Sequence, residues 1–200
     1  MNLGFDMDGV ICDTATAVIE YINNKHNLNL TSNDITHYWI SDITFDSDPK
    51  LNKRIVNTMI NKFHDIDLQV TAKPCKDAVV VLHKLKKKGN RIHLITNRDL
   101  GKDKEKKTAL WFKHHNIPFD SLIHCGSKGE KGIVGKSLNL DFYLDDYEGN
   151  LESMYLYKNR WRKGLGLLDR SWNKDPIDGS KFIRFNNWES VLRHLGITNR

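Results

Sequence analysis

The chain has 200 residues, 39% hydrophobic and 28% charged, enough to bury a core and unlike a disordered or fibrous chain. No run approaches the ~18 apolar residues of a membrane span, and the opening residues are too short an apolar stretch and too acidic for a signal peptide, so neither is expected. A net charge of +6 favours an anionic partner, and three scattered cysteines, Cys12, Cys75 and Cys125, suit a reducing, cytoplasmic compartment.

The first thirteen residues, Met1 to Asp13, read as a short apolar strand that ends in Asp6 and Asp8 and turns at Gly9. Two carboxylates this close repel, and a hard divalent cation is one reason for them to coexist; an Asp-rich turn with solvated acids is the plainer alternative. Asp13 or Thr14 can cap a helix through Ala15–His26. Residues 31–49 are polar and turn-rich but carry Tyr38, Trp39 and Phe45. A second helix is predicted over Leu51–His64, with Ile55, Met59 and Phe63 in one stripe beside Val56 and Ile60. Residues 14–72 are thus expected to be a mostly helical insertion, and residues 1–13 and 73–200 the main domain. Pro74 is expected to open a helix to Lys88 that closes at Gly89.

The pattern then alternates. Strands are predicted at Arg91–Thr96, Ser121–Gly126, Asp141–Asp145, Gly164–Leu168 and Lys181–Phe185. Helices are predicted at Lys104–His115, Glu130–Leu138, Leu151–Asn159 and Trp188–Leu195. Such alternation implies an α/β fold, a parallel sheet with helices on both faces. Ligands of open α/β sheets sit outside the carboxyl ends of the strands. That rule gathers Asp6 and Asp8, then Thr96-Asn97-Arg98, then Asp145-Asp146, with Lys131 at the start of the preceding helix. The acids can hold Mg²⁺, while Thr96, Lys131 and backbone N–H groups can bind phosphate oxygens. Singly, Thr96 reads as a turn cap, Lys131 as a surface lysine and Asp145-Asp146 as a capping loop. Together, at successive strand ends, they read as an active site.

Other motifs fall away. Glu130-Lys-Gly-Ile-Val-Gly135-Lys136-Ser137 misses the phosphate-loop spacing. Cys125 is followed at six residues by Lys131, not arginine, so it opens no cysteine-phosphatase loop. The lysines at 84–88 and 102–107 read as solvated helix faces, which leaves a nucleic-acid surface as the weaker reading.

Phe5-Asp-Met-Asp-Gly-Val10, Leu94-Ile-Thr96, Lys131 and Leu144-Asp-Asp146 resemble the ordered signature of the haloacid dehalogenase superfamily of phosphohydrolases. The resemblance implies a Rossmann-like sheet with a helical cap at 14–72. Gly166-Leu-Leu-Asp-Arg-Ser-Trp172-Asn173 is similar to a strand-and-loop of the 5'(3')-deoxyribonucleotidases, although Ser171 stands where a proline is usual and Thr14 where an aromatic can follow the first motif. Tyr38-Trp39 is similar to the aromatic pair by which those enzymes grip a base. What the resemblance implies here is a Mg²⁺-dependent phosphomonoesterase in which Asp6 forms an aspartyl-phosphate and Asp8 is the general acid and base. Asp6, Asp8 (through its carbonyl), Asp145 and Asp146 would hold the metal; Thr96, Asn97 and Lys131 the phosphoryl group; Tyr38, Trp39 and Arg98 the rest of a nucleoside monophosphate. A polynucleotide 3'-phosphatase, a general small-molecule phosphatase and a basic binding protein are the alternatives. The sequence leaves the oligomeric state open, a homodimer included.

Overall fold

A computed structural model describes residues 1–98, 101–126, 128–157 and 161–197, the side chains of residues 128 and 129 excepted. In chain order the strands are β1 (Asn2–Phe5), β2 (Arg91–Thr96), β3 (Ser121–His124), β4 (Phe142–Asp145), β5 (Gly164–Leu168) and β6 (Phe182–Phe185). The helices are α1 (Thr14–His26), α2 (Pro49–Phe63), the short α3 (Ile66–Gln69), α4 (Ala78–Lys87), α5 (Lys102–His114), α6 (Lys128–Ser137), α7 (Glu148–Leu156) and α8 (Trp188–His194). Residues 159 and 160 lie outside the described part, so the predicted end of α7 at Asn159 has no observed counterpart.

All six strands run parallel in the order β3-β2-β1-β4-β5-β6. The chain moves outward from β1 to β2 and β3, then returns to the other side of β1 for β4, β5 and β6. The order reverses between β1 and β4, and a crevice must open there because the loops leaving the two strands diverge. Phe5 pairs with Leu94 on one side and Leu144 on the other, which puts the residues after β1 beside the ends of both neighbours.

Strand alternation divides the core. Leu3, Phe5, Ile92, Leu94, Phe142 and Leu144 face a layer made by α4, α5 and α8, through residues such as Leu82, Phe112 and Trp188. Ile95, Tyr143, Leu165 and Leu167 face the opposite layer, where α7 supplies Leu151 and Met154. Burial on both faces explains why these strands are nearly continuous apolar runs.

Between β1 and β2 the chain builds a separate apolar cluster. Ala15, Val18, Ile19 and Ile22 of α1 pack on Ile55, Val56 and Met59 of α2, with Ile35, Ile40 and Ile43 from the 3₁₀ turns of the connection. Asp13 caps α1 by accepting the Thr16 N–H, and Asp48 caps α2 by accepting the Lys50 N–H. The helix expected from Pro74 begins four residues later. Pro74 forms an antiparallel bridge with Cys12, and the Cys75 N–H donates to the Ile11 carbonyl at 2.7 Å. The chain must return beside its exit point before it can coil, and Asp77, at φ 64°, turns it into α4. Gly89 takes a positive φ of 77° after α4, as expected.

Candidate active site

Asp6 leaves β1 at the crevice, and its N–H still donates to the Leu144 carbonyl of β4 at 2.9 Å. Asp145 ends β4 and Asp146 follows it. Carboxylate oxygens of Asp6, Asp145 and Asp146 lie within 4.8 Å of one another, and the three residues are at most 6% exposed. Lys131, one turn into α6 and 1% exposed, reaches between them: Nζ donates to Asp6 Oδ1 at 2.7 Å and to Asp145 Oδ2 at 2.9 Å. Burial alone would lower the lysine's pKa, but the charges of Asp145 and Asp6 outweigh it and push the ammonium's pKa up.

The acids respond in the opposite sense. Burial pushes Asp6 well above the usual carboxylate range, against the pull of Lys131 and with the repulsion of Asp145 and Asp146 added. Burial and the Asp145 charge push Asp146 up to about 7. Clustered, dehydrated carboxylates of this kind are poised to exchange protons for a cation.

The two adjacent aspartates differ in what occupies them. Asp145 accepts from Lys131, from the Tyr143 hydroxyl at 2.8 Å, from the Tyr147 N–H at 3.0 Å and from Asn150 Nδ2 at 3.0 and 3.1 Å. Asp146 Oδ2 accepts from Trp172 Nε1 at 2.9 Å. Asn173 Nδ2 fixes the Asp146 carbonyl at 2.8 Å and the Leu168 carbonyl at 2.9 Å, so the loop after β5 is tied to the loop after β4. Gly9, at φ 74°, passes against Asp146, where a Cβ would collide with the carboxylate.

Asp8 points to a different partner. Arg98 holds it by two parallel bonds, Nε to Oδ2 at 2.8 Å and Nη2 to Oδ1 at 2.7 Å, and the Thr14 hydroxyl donates to the same carboxylate. Burial would raise the Asp8 carboxyl, but the guanidinium and these hydrogen bonds prevail and hold it below the ordinary range. Arg98, read from sequence as a substrate contact, is thus spent on Asp8, 90 residues away in the chain. Thr96 is buried at the end of β2, where its hydroxyl accepts the Arg98 N–H at 3.2 Å. Asn97 follows, and its buried Oδ1 has no hydrogen-bond partner among the described residues.

Tyr38 and Trp39 reach the crevice from the α1–α2 connection. Tyr38 stacks on Tyr147 with ring centres 3.7 Å apart and planes 16° from parallel. Burial and the charges of Asp146, Asp145 and Asp6 push its phenol up. Trp39 meets Tyr38 edge-on at 5.3 Å and is 52% exposed. Cys12 and Cys75 have thiols pushed up to about 12 by burial, which leaves neither as a nucleophile.

Sequence reasoning assigned no role to Tyr143, Tyr147 or Asn150; it placed Trp172 only in the loop Asp169–Asn173 after the fifth strand, as part of a source of polar contacts to ligand or cap. The signal for Tyr143 was period two, since it shares a strand face with Asp145. Asn150 was visible as a polar residue one turn into a helix that starts just after the acids. The contacts of Tyr147 and Trp172 left no such signal.

Over residues 1–197 the sequence matches the family described as "5' nucleotidase, deoxy (Pyrimidine), cytosolic type C protein". No curated protein matches it. Among solved structures it resembles a haloacid dehalogenase family hydrolase from Deinococcus radiodurans R1 with bound phosphate and sodium (TM-score 0.61, 11% identity, 100% of this chain and 98% of that one). It also resembles a predicted phosphoglycolate phosphatase from Haemophilus somnus 129pt (0.60, 13%, 96% and 96%) and a hydrolase of the same superfamily from Ehrlichia chaffeensis (0.58, 14%, 99% and 97%). At these identities the likeness shows the fold, the Rossmann-like haloacid dehalogenase type.

Proposed function

Because the chain belongs to the family of cytosolic type C 5'-nucleotidases, and so is a phosphoric monoester hydrolase, we propose that it dephosphorylates a nucleoside 5'-monophosphate, by preference a pyrimidine deoxyribonucleotide, through a phosphoryl group carried on Asp6. The observation that carries this reading is the convergence of Asp6, Asp8, Lys131, Asp145 and Asp146 at the point where the strand order reverses. Residues 14–72 act as a cap over that point.

Asp6 attacks phosphorus as the ester P–O bond breaks, and the leaving 5'-oxygen takes a proton from Asp8. Asp8 then removes a proton from water, whose oxygen attacks the same phosphorus and returns Asp6 as a free carboxylate. The Arg98–Asp8 pair supports the ionised, base form needed for this second half. Lys131 aligns Asp6 and, with Thr96 and Asn97, faces the phosphoryl oxygens.

The cluster of hard carboxylate oxygens fits Mg²⁺. Asp145 already accepts four donor groups, which favours Asp146 and Asp6, with the Asp8 carbonyl, as the direct ligands and Asp145 as the residue that orients Lys131. When bound, Mg²⁺ supplies positive charge against the phosphoryl oxygens.

Tyr38 stacks on Tyr147, the residue after Asp146, and so brings an aromatic ring from the α1–α2 connection to the acid loop, which favours a small enclosed substrate over a polynucleotide end. The family description and the three free cysteines support a cytosolic location, and among the described residues no helix is long and apolar enough to cross a membrane.

Phosphate release from dUMP, dTMP, UMP, AMP and a sugar phosphate tests the substrate. Turnover is expected on the nucleotides, fastest on dUMP or dTMP, and lost in Asp6→Asn. Hydrolysis of the sugar phosphate with negligible action on every nucleotide overturns the nucleotidase reading.

A further inference from the structure

Tyr147 directly follows Asp146, yet its ring belongs to the cap. Its backbone is pinned to the acids, because its N–H donates to Asp145 Oδ1 at 3.0 Å and its carbonyl accepts the Asn150 N–H at 3.1 Å as α7 begins. The hydroxyl end of its ring lies close against Gly149. A Cβ on Gly149 would come within 2.6 Å of the Tyr147 Cζ and 2.7 Å of its hydroxyl, so only the glycine leaves room for the ring. Tyr38 stacks on the ring at 3.7 Å, and Trp39 stands edge-on at 6.3 Å and 79° with its indole N–H donating to the Tyr147 phenol oxygen.

From the crowding of Gly149 on the Tyr147 ring and the stack of Tyr38 on it we propose that Tyr147 is a positioning residue: the platform on the metal-binding loop to which the cap docks, setting Tyr38 beside that loop when the cap closes. Its consequence for catalysis rests on the nucleotidase reading, whereas the docking does not. With the backbone of Tyr147 bonded to Asp145 and its ring bonded to the cap, cap closure and the acid loop share one rigid residue. Other attachments of the cap lie elsewhere, among them Ser171 Oγ donating to the Ser32 carbonyl at 2.6 Å on the loop after β5 and Lys107 Nζ donating to Asp67 Oδ1 at 2.8 Å.

Hydrogen exchange on the full-length protein with Mg²⁺ and no substrate reads the docking without turnover. An aromatic pair of this kind corresponds to roughly a three- to tenfold change in a local opening equilibrium. Tyr147→Ala is expected to speed exchange of the 36–45 segment by that factor, with β5 and α8 unchanged. Gly149→Ala, whose Cβ evicts the ring, should do the same, and Tyr147→Phe, which keeps the stack, should stay close to the parent protein. In steady-state kinetics on dUMP, Tyr147→Ala should raise KM at least threefold while kcat changes less. Unchanged exchange at 36–45 in Tyr147→Ala, equal acceleration in Tyr147→Phe, or acceleration spread over β5 and α8 in both small variants would each overturn the assignment. If exchange responds as stated while no nucleotide is turned over, the docking stands and the nucleotidase reading falls.

Discussion

Lys131 shows how little a residue's type says about its role. Lys136, on the same helix, is exposed, while Lys131 is buried with its ammonium bridging Asp6 and Asp145. Removing one partner of a buried ion pair leaves uncompensated charge and costs about 3–5 kcal/mol. Lys131→Ala is expected to lower stability of the metal-free protein by about that much and turnover by roughly a thousandfold or more, since it deletes both the alignment of Asp6 and a charge facing the phosphoryl group. Lys136→Ala should change neither. Urea unfolding and initial rates on a nucleotide decide it, and a damaging Lys136→Ala would show that the helix is placed in the wrong phase.

At the scale of elements, the site depends on strands that approach closely enough to bring their ends together. Gly166 of β5 pairs with Leu144, the residue before Asp145, and with Ile183 of β6. A Cβ there would lie 2.7 Å from the Phe185 ring and 2.9 Å from Leu144 Cδ1. Both neighbours are fixed in the core, so neither can yield without moving the sheet. Gly166→Ala is expected to destabilise by about 1–3 kcal/mol through overpacking, read as a lower urea midpoint at unchanged slope. A neutral or stabilising result would mean that β5 and β6 are not packed as described.

For the whole molecule, the buried carboxylate cluster ties stability to pH and metal. Asp146 has a folded-state value of about 7, well above that of an unfolded aspartate. A raised carboxyl favours folding most below the unfolded value, and that contribution is lost as pH rises through about 7. The metal-free protein should therefore lose thermal stability between pH 6 and pH 8. Mg²⁺ competes with these protons, so its stabilisation should be larger at pH 8 than at pH 6. At 100-fold excess over Kd it is worth about 2.7 kcal/mol, or roughly 5–10 °C in Tm for a chain of this size. Melting curves at the two pH values with EDTA or Mg²⁺ check this. An equal shift at both would remove Asp146 as the coupled ligand.

The alternation of buried strands and helices, with the rule that ligands gather at strand ends, was enough to place Asp6, Thr96, Lys131, Asp145 and Asp146 along one edge. Strand period and helix start are local properties, set by a few neighbouring residues. Local signals failed at Pro74, a good helix opener, because its backbone is needed for the bridge to Cys12 where the chain returns from the α1–α2 cluster. They were silent on the order β3-β2-β1-β4-β5-β6, since equivalent apolar runs can pair in many orders. They were equally silent on three contacts that finish the site: Arg98 on Asp8, Trp172 on Asp146, and Tyr38 on Tyr147. Each joins side chains 26 or more residues apart. Which aromatic meets which acid or ring depends on where the α1–α2 connection and the loop after β5 come to rest together, and that is set by long-range contacts such as Trp172 packed on the α1–α2 cluster and Ser171 bonded to Ser32.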